Sequence, residues 1–166
     1  KIVARLIAGG LKTKIYMVNL GGFDTHSSQT DANTTTGTHA DLLSKLSVAI
    51  TAFMDDVTFL NIENRVMGMT FSEFGRRIKS NSSDGTDHGA AAPLFVFGKD
   101  VQSGILGANP TIGSVVSTND NVPMQYDFRS VYASVLQDWF CVPSTDLSSI
   151  LLQSFQTLPI IQSSAC

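Results

Sequence analysis

The chain has 166 residues, 43% hydrophobic and 15% charged, which is about one domain and long enough to bury a core. Its net charge is −3 and it has no basic cluster beyond Arg76-Arg77, which argues against binding a phosphate backbone and so against nucleic acid as a partner. No apolar run approaches the roughly 20 residues needed to span a bilayer, and the two cysteines, Cys141 and Cys166, are too few for a disulfide framework and lack metal-ligand spacing.

Residues 1–10 read as the end of a helix, with apolar residues at helical spacing and a Gly9-Gly10 stop. There is neither an initiator Met nor a signal-peptide pattern, so the expectation is a fragment or a processed product. Residues 12–20 (KTKIYMVNL) are β-rich and apolar on both faces, the signature of a central strand in a covered sheet. Residues 27–38 are polar and loop-like. From His39 a helix is expected, because Leu42, Leu43, Leu46, Ala49, Ile50, Phe53 and Val57 form one apolar stripe. Thr38 is its candidate N-cap. Residues 65–71 and 93–97 are two further buried strands, separated by the polar loop 80–89. Residues 99–121 read as an irregular excursion with a short edge hairpin. Asp127 opens a helix that ends before Pro143, and a short helix is expected over 146–155, followed by a tail.

The order strand, helix, strand, strand, helix predicts an α/β fold, a sheet with helices on its faces. It is read as a single domain or the C-terminal part of a larger one, with a motif-bearing core at about 12–140 and a C-terminal helix and tail at 141–166. Ligand sites in such folds lie beyond the carboxyl ends of strands, and two Asp/His pairs fall there. Asp87-His88 offers a carboxylate and an imidazole to one cation, ligands that suit Zn, Mn, Ca or Mg to different degrees. Gly85 and Gly89 permit tight backbone folding around it. Asp24 and His26, two residues apart, project to the same side of an extended segment. The alternative is ordinary turn chemistry: a surface turn at 80–89, and Asp24 capping a turn beside a solvated His26.

Glu73 follows a predicted strand, as a further ligand or as the ion-pair partner of Arg76 or Arg77. Those arginines match an anionic group or serve structurally. His39 is a further ligand or an exposed histidine. Asp127 is the N-cap of its helix, and Arg129 an anion or carboxylate partner. No Gly-x-Ser-x-Gly elbow, phosphate-binding loop or Gly-x-Gly-x-x-Gly motif is present.

In this order, Gly-Gly-Phe-Asp-Thr-His (21–26), Ser-Glu-Phe-Gly-Arg-Arg (72–77), Gly-Thr-Asp-His-Gly (85–89) and Asp-Phe-Arg-Ser-Val-Tyr (127–132) resemble the DUF1501 family over roughly residues 1–140. That family is related to the alkaline phosphatase and sulfatase superfamily. The resemblance implies a three-layer α/β/α sandwich around a mixed, mostly parallel sheet, incomplete here as the C-terminal part of such a domain. It implies Asp87 and His88 as ligands of one divalent metal, Zn or Mn, and Asp24 and His26 as ligands of another. It implies hydrolysis or transfer of a phosphoric or sulfuric ester, an anionic small-molecule substrate, and export by a twin-arginine signal to the periplasm or beyond. The nucleophile would come from the N-terminal half of the same protein, outside these residues. The competing reading is a non-catalytic exported domain for binding or assembly, with a relic or structural cation site.

Overall fold

The computed structural model describes residues 1–162; Cys166 lies outside them. The elements in chain order are α1 (Ile2–Ala8), α2 (Thr38–Phe59), a 3-10 turn (Glu63–Arg65), β1 (Met67–Met69), β2 (Gly75–Ser80), β3 (Thr86–Gly89), β4 (Val96–Gly98), α3 (Phe128–Asp138) and α4 (Ser144–Ile150). They fall into two compact units. The first comprises Lys1–Val66, Ser72–Pro93 and Thr111–Pro123; the second comprises Met67–Phe71, Leu94–Pro110 and residues 124–162.

The sheets overturn the expected sandwich. β1 pairs antiparallel with β4, and β2 pairs antiparallel with β3, each as a two-stranded sheet. Among the described residues there is no parallel sheet and no α/β/α layering. The physical reason lies in two segments. Residues 12–20, expected as the central strand, are extended but unpaired: no residue from 12 to 22 makes a backbone hydrogen bond, and Ile15, Met17 and Val18 are each more than 70% exposed. A strand exists only with neighbours that take its backbone groups, and no described segment pairs with it. The polar loop 80–89 in turn supplies a strand. It folds back on residues 75–80 as a hairpin, so its motif lies within β3 rather than after a strand.

In the first unit α1 and α2 pack through Ala4, Val57, Ile62 and Val66, with Ile7, Phe53, Met54 and Leu60 around them. Val57 is fully buried, worth about 1.5–3 kcal/mol of transfer free energy. Of the stripe expected on α2, Leu42 and Val57 are buried while Leu43 is 41% exposed. The N-cap is Gly37, not Thr38, with φ +104°. A Cβ there would meet the Asp31 backbone nitrogen at 2.7 Å, so position and conformation both require glycine.

In the second unit α3 carries Val131 and Val135 into a core with Leu158 and Ile160, packed against Met67, Met69 and Val96. The expected tail thus supplies core residues. The last helix spans Ser144–Ile150 rather than 146–155, and among the described residues no hairpin forms over 99–121, whose strand-like pairing is confined to the bridges Arg77↔Asn121 and Val101↔Ile161.

Asp127 is the N-cap of α3 as expected: its carboxylate accepts from the Arg129 backbone N–H at 2.9 Å and from the guanidinium at 2.9 and 2.7 Å. The Arg129 side chain, then its backbone N–H, pulls the Asp127 carboxyl down to about 2. A carboxyl whose folded value is depressed stabilises the fold above its unfolded value near 3.9, and that contribution is lost as pH falls towards 2. The difference in Tm between the wild type and Asp127→Asn should therefore be constant from pH 7 to about 5 and shrink between about 4 and 2. A difference that stays flat down to pH 2 would remove the ionised cap from the stability of α3. Asp127→Ala, which also removes the cap, should cost about 1 kcal/mol more at neutral pH.

Candidate metal centre

Two segments of the first unit build the site: the loop 23–29 and the β2–β3 hairpin. The hairpin turns through Asn81, whose backbone N–H donates to the Gly85 carbonyl at 2.8 Å. Its side-chain Oδ1 accepts from the Ser83 and Gly85 N–H groups at 2.9 and 3.2 Å, an Asx-type turn. Asp84 sits at φ +55° within it. The same Asn81 amide donates to the His26 carbonyl at 2.9 Å, tying the loop to the hairpin. Further ties are Ser28 N–H to the Ser83 carbonyl, Gln29 N–H to the Asp84 carbonyl and Thr86 N–H to the Thr25 carbonyl. The Thr25 and Thr86 hydroxyls both donate to Gln29 Oε1, at 3.1 and 2.7 Å.

This docking brings Asp24, His26, Asp87 and His88 together from positions more than 60 residues apart. His88 Nε2 lies 2.8 Å from Asp24 Oδ1 and 3.1 Å from His26 Nε2, and His26 Nε2 lies 3.1 Å from the same Asp24 oxygen. The other nitrogen of His26, Nδ1, faces Asp87 Oδ1 at 3.2 Å. Arg76, opposite His88 in the β2–β3 register, donates to the Phe23 carbonyl, to the Thr86 carbonyl at 2.6 Å and to Asp24 Oδ1 at 3.2 Å. Phe74 stacks on the His88 ring, centroids 3.5 Å apart and planes 12° from parallel.

Charge is concentrated accordingly. The Asp24 carboxyl is held below its ordinary range first by the hydrogen bond from His88, against some desolvation, with His26 and Arg76 adding to the depression. Asp87 is lowered first by the Asn81 hydrogen bond and then by that from His26. A carboxylate only accepts, so the ring nitrogen facing Asp87 is assigned as N–H. Neutral His26 then presents its Nε2 lone pair to a carboxylate oxygen 3.1 Å away. That repulsion is relieved by a proton on Nε2 or by a cation among the three atoms.

Asp24, His26 and His88 form an exposed group able to hold a metal ion. Ligand atoms bonded to Zn at about 2.0–2.2 Å in a tetrahedron lie roughly 3.3–3.5 Å apart, so a triangle with edges of 2.8 to 3.1 Å needs only a few tenths of an ångström of expansion.

The remaining candidates lie elsewhere or are already engaged. Glu73 is exposed and pairs with neither arginine. His39 is half-buried at the start of α2, edge-on to Phe23 at 6.2 Å, with Nδ1 buried and unpartnered. Arg77 donates to the His88 carbonyl at 3.2 Å, to the Thr118 carbonyl at 3.0 Å and to Asn119. Arg129 belongs to the second unit, held by Asp127 and over the Phe155 ring at 4.3 Å. Three residues that shape the site, Asn81, Phe74 and Gln29, act through hydrogen bonds and ring stacking. Only Asn81 carried a signal, an Asn four residues before a Gly between strands.

Comparison with known proteins agrees with the four ordered motifs. No curated protein and no solved structure matches the chain. The family model described as "Protein of unknown function (DUF1501)" matches residues 2–151, and the chain belongs to the DUF1501 family.

Proposed function

We propose that Asp24, His26 and His88 hold one divalent metal ion, and that the site serves a metal-dependent phosphatase- or sulfatase-like hydrolase of which this chain is the metal-ligand-bearing portion. The observation that carries the reading is the convergence of two imidazole nitrogens and one carboxylate oxygen within 3.1 Å of one another. Two imidazoles favour Zn over Ca and Mg, which take oxygen ligands, and Mn is the oxygen-preferring alternative that the carboxylate admits. The donor set lies at the surface, accessible to an anionic ester. When bound, such an ion supplies Lewis-acid stabilisation of charge on a phosphoryl or sulfuryl oxygen. The chain's own part is to hold the ligands: Arg76 fixes Asp24, and the stacked Phe74 fixes His88.

A second reading, a structural cation in a non-catalytic exported domain, draws support from the arginines. Arg76 and Arg77 are committed to backbone carbonyls, Asp24 and Asn119, which leaves neither as the expected anion clamp.

The test is metal content after Zn or Mn is offered, comparing wild type with the double variant His26→Ala/His88→Ala. The expected result is about one equivalent per wild-type chain and none in the variant. Background metal in both would sink the centre. With metal bound, hydrolysis of an aryl phosphate or sulfate that the double variant lacks selects the hydrolase. A metal-loaded chain that melts at higher temperature and stays inert when the nucleophile-bearing part of the protein is supplied selects the structural cation.

A further inference from the structure

Asp87 and His88 are adjacent, yet they meet opposite ends of one ring. His88 Nε2 faces His26 Nε2 at 3.1 Å, whereas Asp87 Oδ1 faces His26 Nδ1 at 3.2 Å. The group of donor atoms able to share an ion comprises Asp24, His26 and His88 and does not include Asp87. The same Asp87 oxygen receives the Asn81 amide at 3.3 Å, and that amide also holds the carbonyl of His26 itself.

Building on the metal reading above, we infer that Asp87 is a positioning residue and not a ligand: it keeps the His26 proton on Nδ1 and turns the Nε2 lone pair towards Asp24 and His88. A histidine ligand needs its unligated nitrogen satisfied, and a carboxylate there fixes both tautomer and ring orientation and raises the basicity of the ligating nitrogen. Each of the three donors then has its own holder. Arg76 grips the Asp24 carboxylate, Phe74 lies flat on His88, and Asp87 takes His26. Asn81 sets the distance between the last pair because it hydrogen-bonds both residues.

The experiment uses the full chain as wild type, Asp87→Ala and Asp87→Asn, with His88→Ala as the ligand-loss reference. Zn affinity is read by competition with a chromophoric chelator, and the His26 tautomer by imidazole 15N chemical shifts. Asp87→Ala should weaken Zn binding about 10–100-fold and lose the predominance of the Nδ1–H form. Asp87→Asn, whose amide oxygen still accepts from Nδ1, should recover most of both. His88→Ala should lose Zn far more completely while keeping the His26 tautomer. The inference is overturned if Asp87→Ala matches wild type in affinity and tautomer. It is equally overturned if Asp87→Ala loses Zn as completely as His88→Ala, which would make Asp87 a ligand. Should the wild type bind no Zn, the metal reading fails while the tautomer comparison in the metal-free chain still decides the role of Asp87. Circular dichroism of each variant separates these outcomes from unfolding, and Asp87→Leu, which also lacks an acceptor for Nδ1, stands in if Asp87→Ala does not fold.

Discussion

Gly85→Ala should dismantle the candidate centre without touching any of its ligands. A Cβ at residue 85 would lie 2.2 Å from the His26 carbonyl carbon, 2.3 Å from its oxygen and 2.6 Å from the Ser27 nitrogen. These are backbone atoms, so no rotamer change makes room; the hairpin and the loop 23–29 must separate. Separation weakens the ties from Asn81 to the His26 carbonyl and from Thr86 to the Thr25 carbonyl. It also carries His26 away from His88. Overpacking of this kind costs about 1–3 kcal/mol or more. The effect on Zn affinity should be at least as large as losing an outer hydrogen-bond partner, about 10–100-fold. Gly21→Ala is the control: it lies three residues before Asp24, and a Cβ there meets nothing within 4 Å. Its Zn affinity and Tm should match the wild type. Gly85→Ala with unchanged Zn affinity would show that this close approach does not organise the centre.

How much of this was legible depended on whether the decisive interaction was local. The helices α2 and α3 were readable because a 3.6-residue apolar period and an Asp cap are properties of contiguous sequence. Asp24, His26, Asp87 and His88 stood out by residue type, and the structure brings them together. What failed was everything set by a distant partner. The run at 12–20 has the composition of a central strand, but composition supplies no neighbours, and none pairs with it. Conversely, Thr86-Asp87-His88-Gly89 carries little β propensity, and reads as loop. It becomes a strand because Asn81 closes the turn and Arg76 pairs opposite His88. Phe74, inside the Ser-Glu-Phe-Gly-Arg-Arg motif, was not singled out for the same reason: only that register lays its ring on the imidazole. Position 37 was missed differently, because a glycine at φ +104° caps α2 through its backbone and leaves no side-chain signature.

Ser134→Ala should be the costliest single-atom change in the second unit. Ser134 is fully buried on α3. Its hydroxyl donates to the Ser130 carbonyl one turn earlier at 2.8 Å and accepts from the Leu158 backbone N–H at 2.7 Å. The first bond merely duplicates what a helix carbonyl already has. The second is different, because the Leu158 N–H lies against the core where Leu158 is 6% exposed. Alanine leaves that donor without an acceptor, at a desolvation cost of about 1–3 kcal/mol. At roughly 2–4 °C per kcal/mol for a chain of this size, Tm should fall by several degrees, whereas Ser148→Ala on the exposed face of α4 should stay within about 0.5 kcal/mol. Hydrogen exchange localises the effect: the Leu158 amide should lose protection, and with it Ile160, whose N–H donates to the Leu158 carbonyl at 2.8 Å. Because Leu158 and Ile160 both pack on Val131 and Val135, one hydroxyl sets how firmly the segment at 158–160 seals the core. An unchanged Leu158 amide in Ser134→Ala would mean that apolar contact alone holds that segment in place.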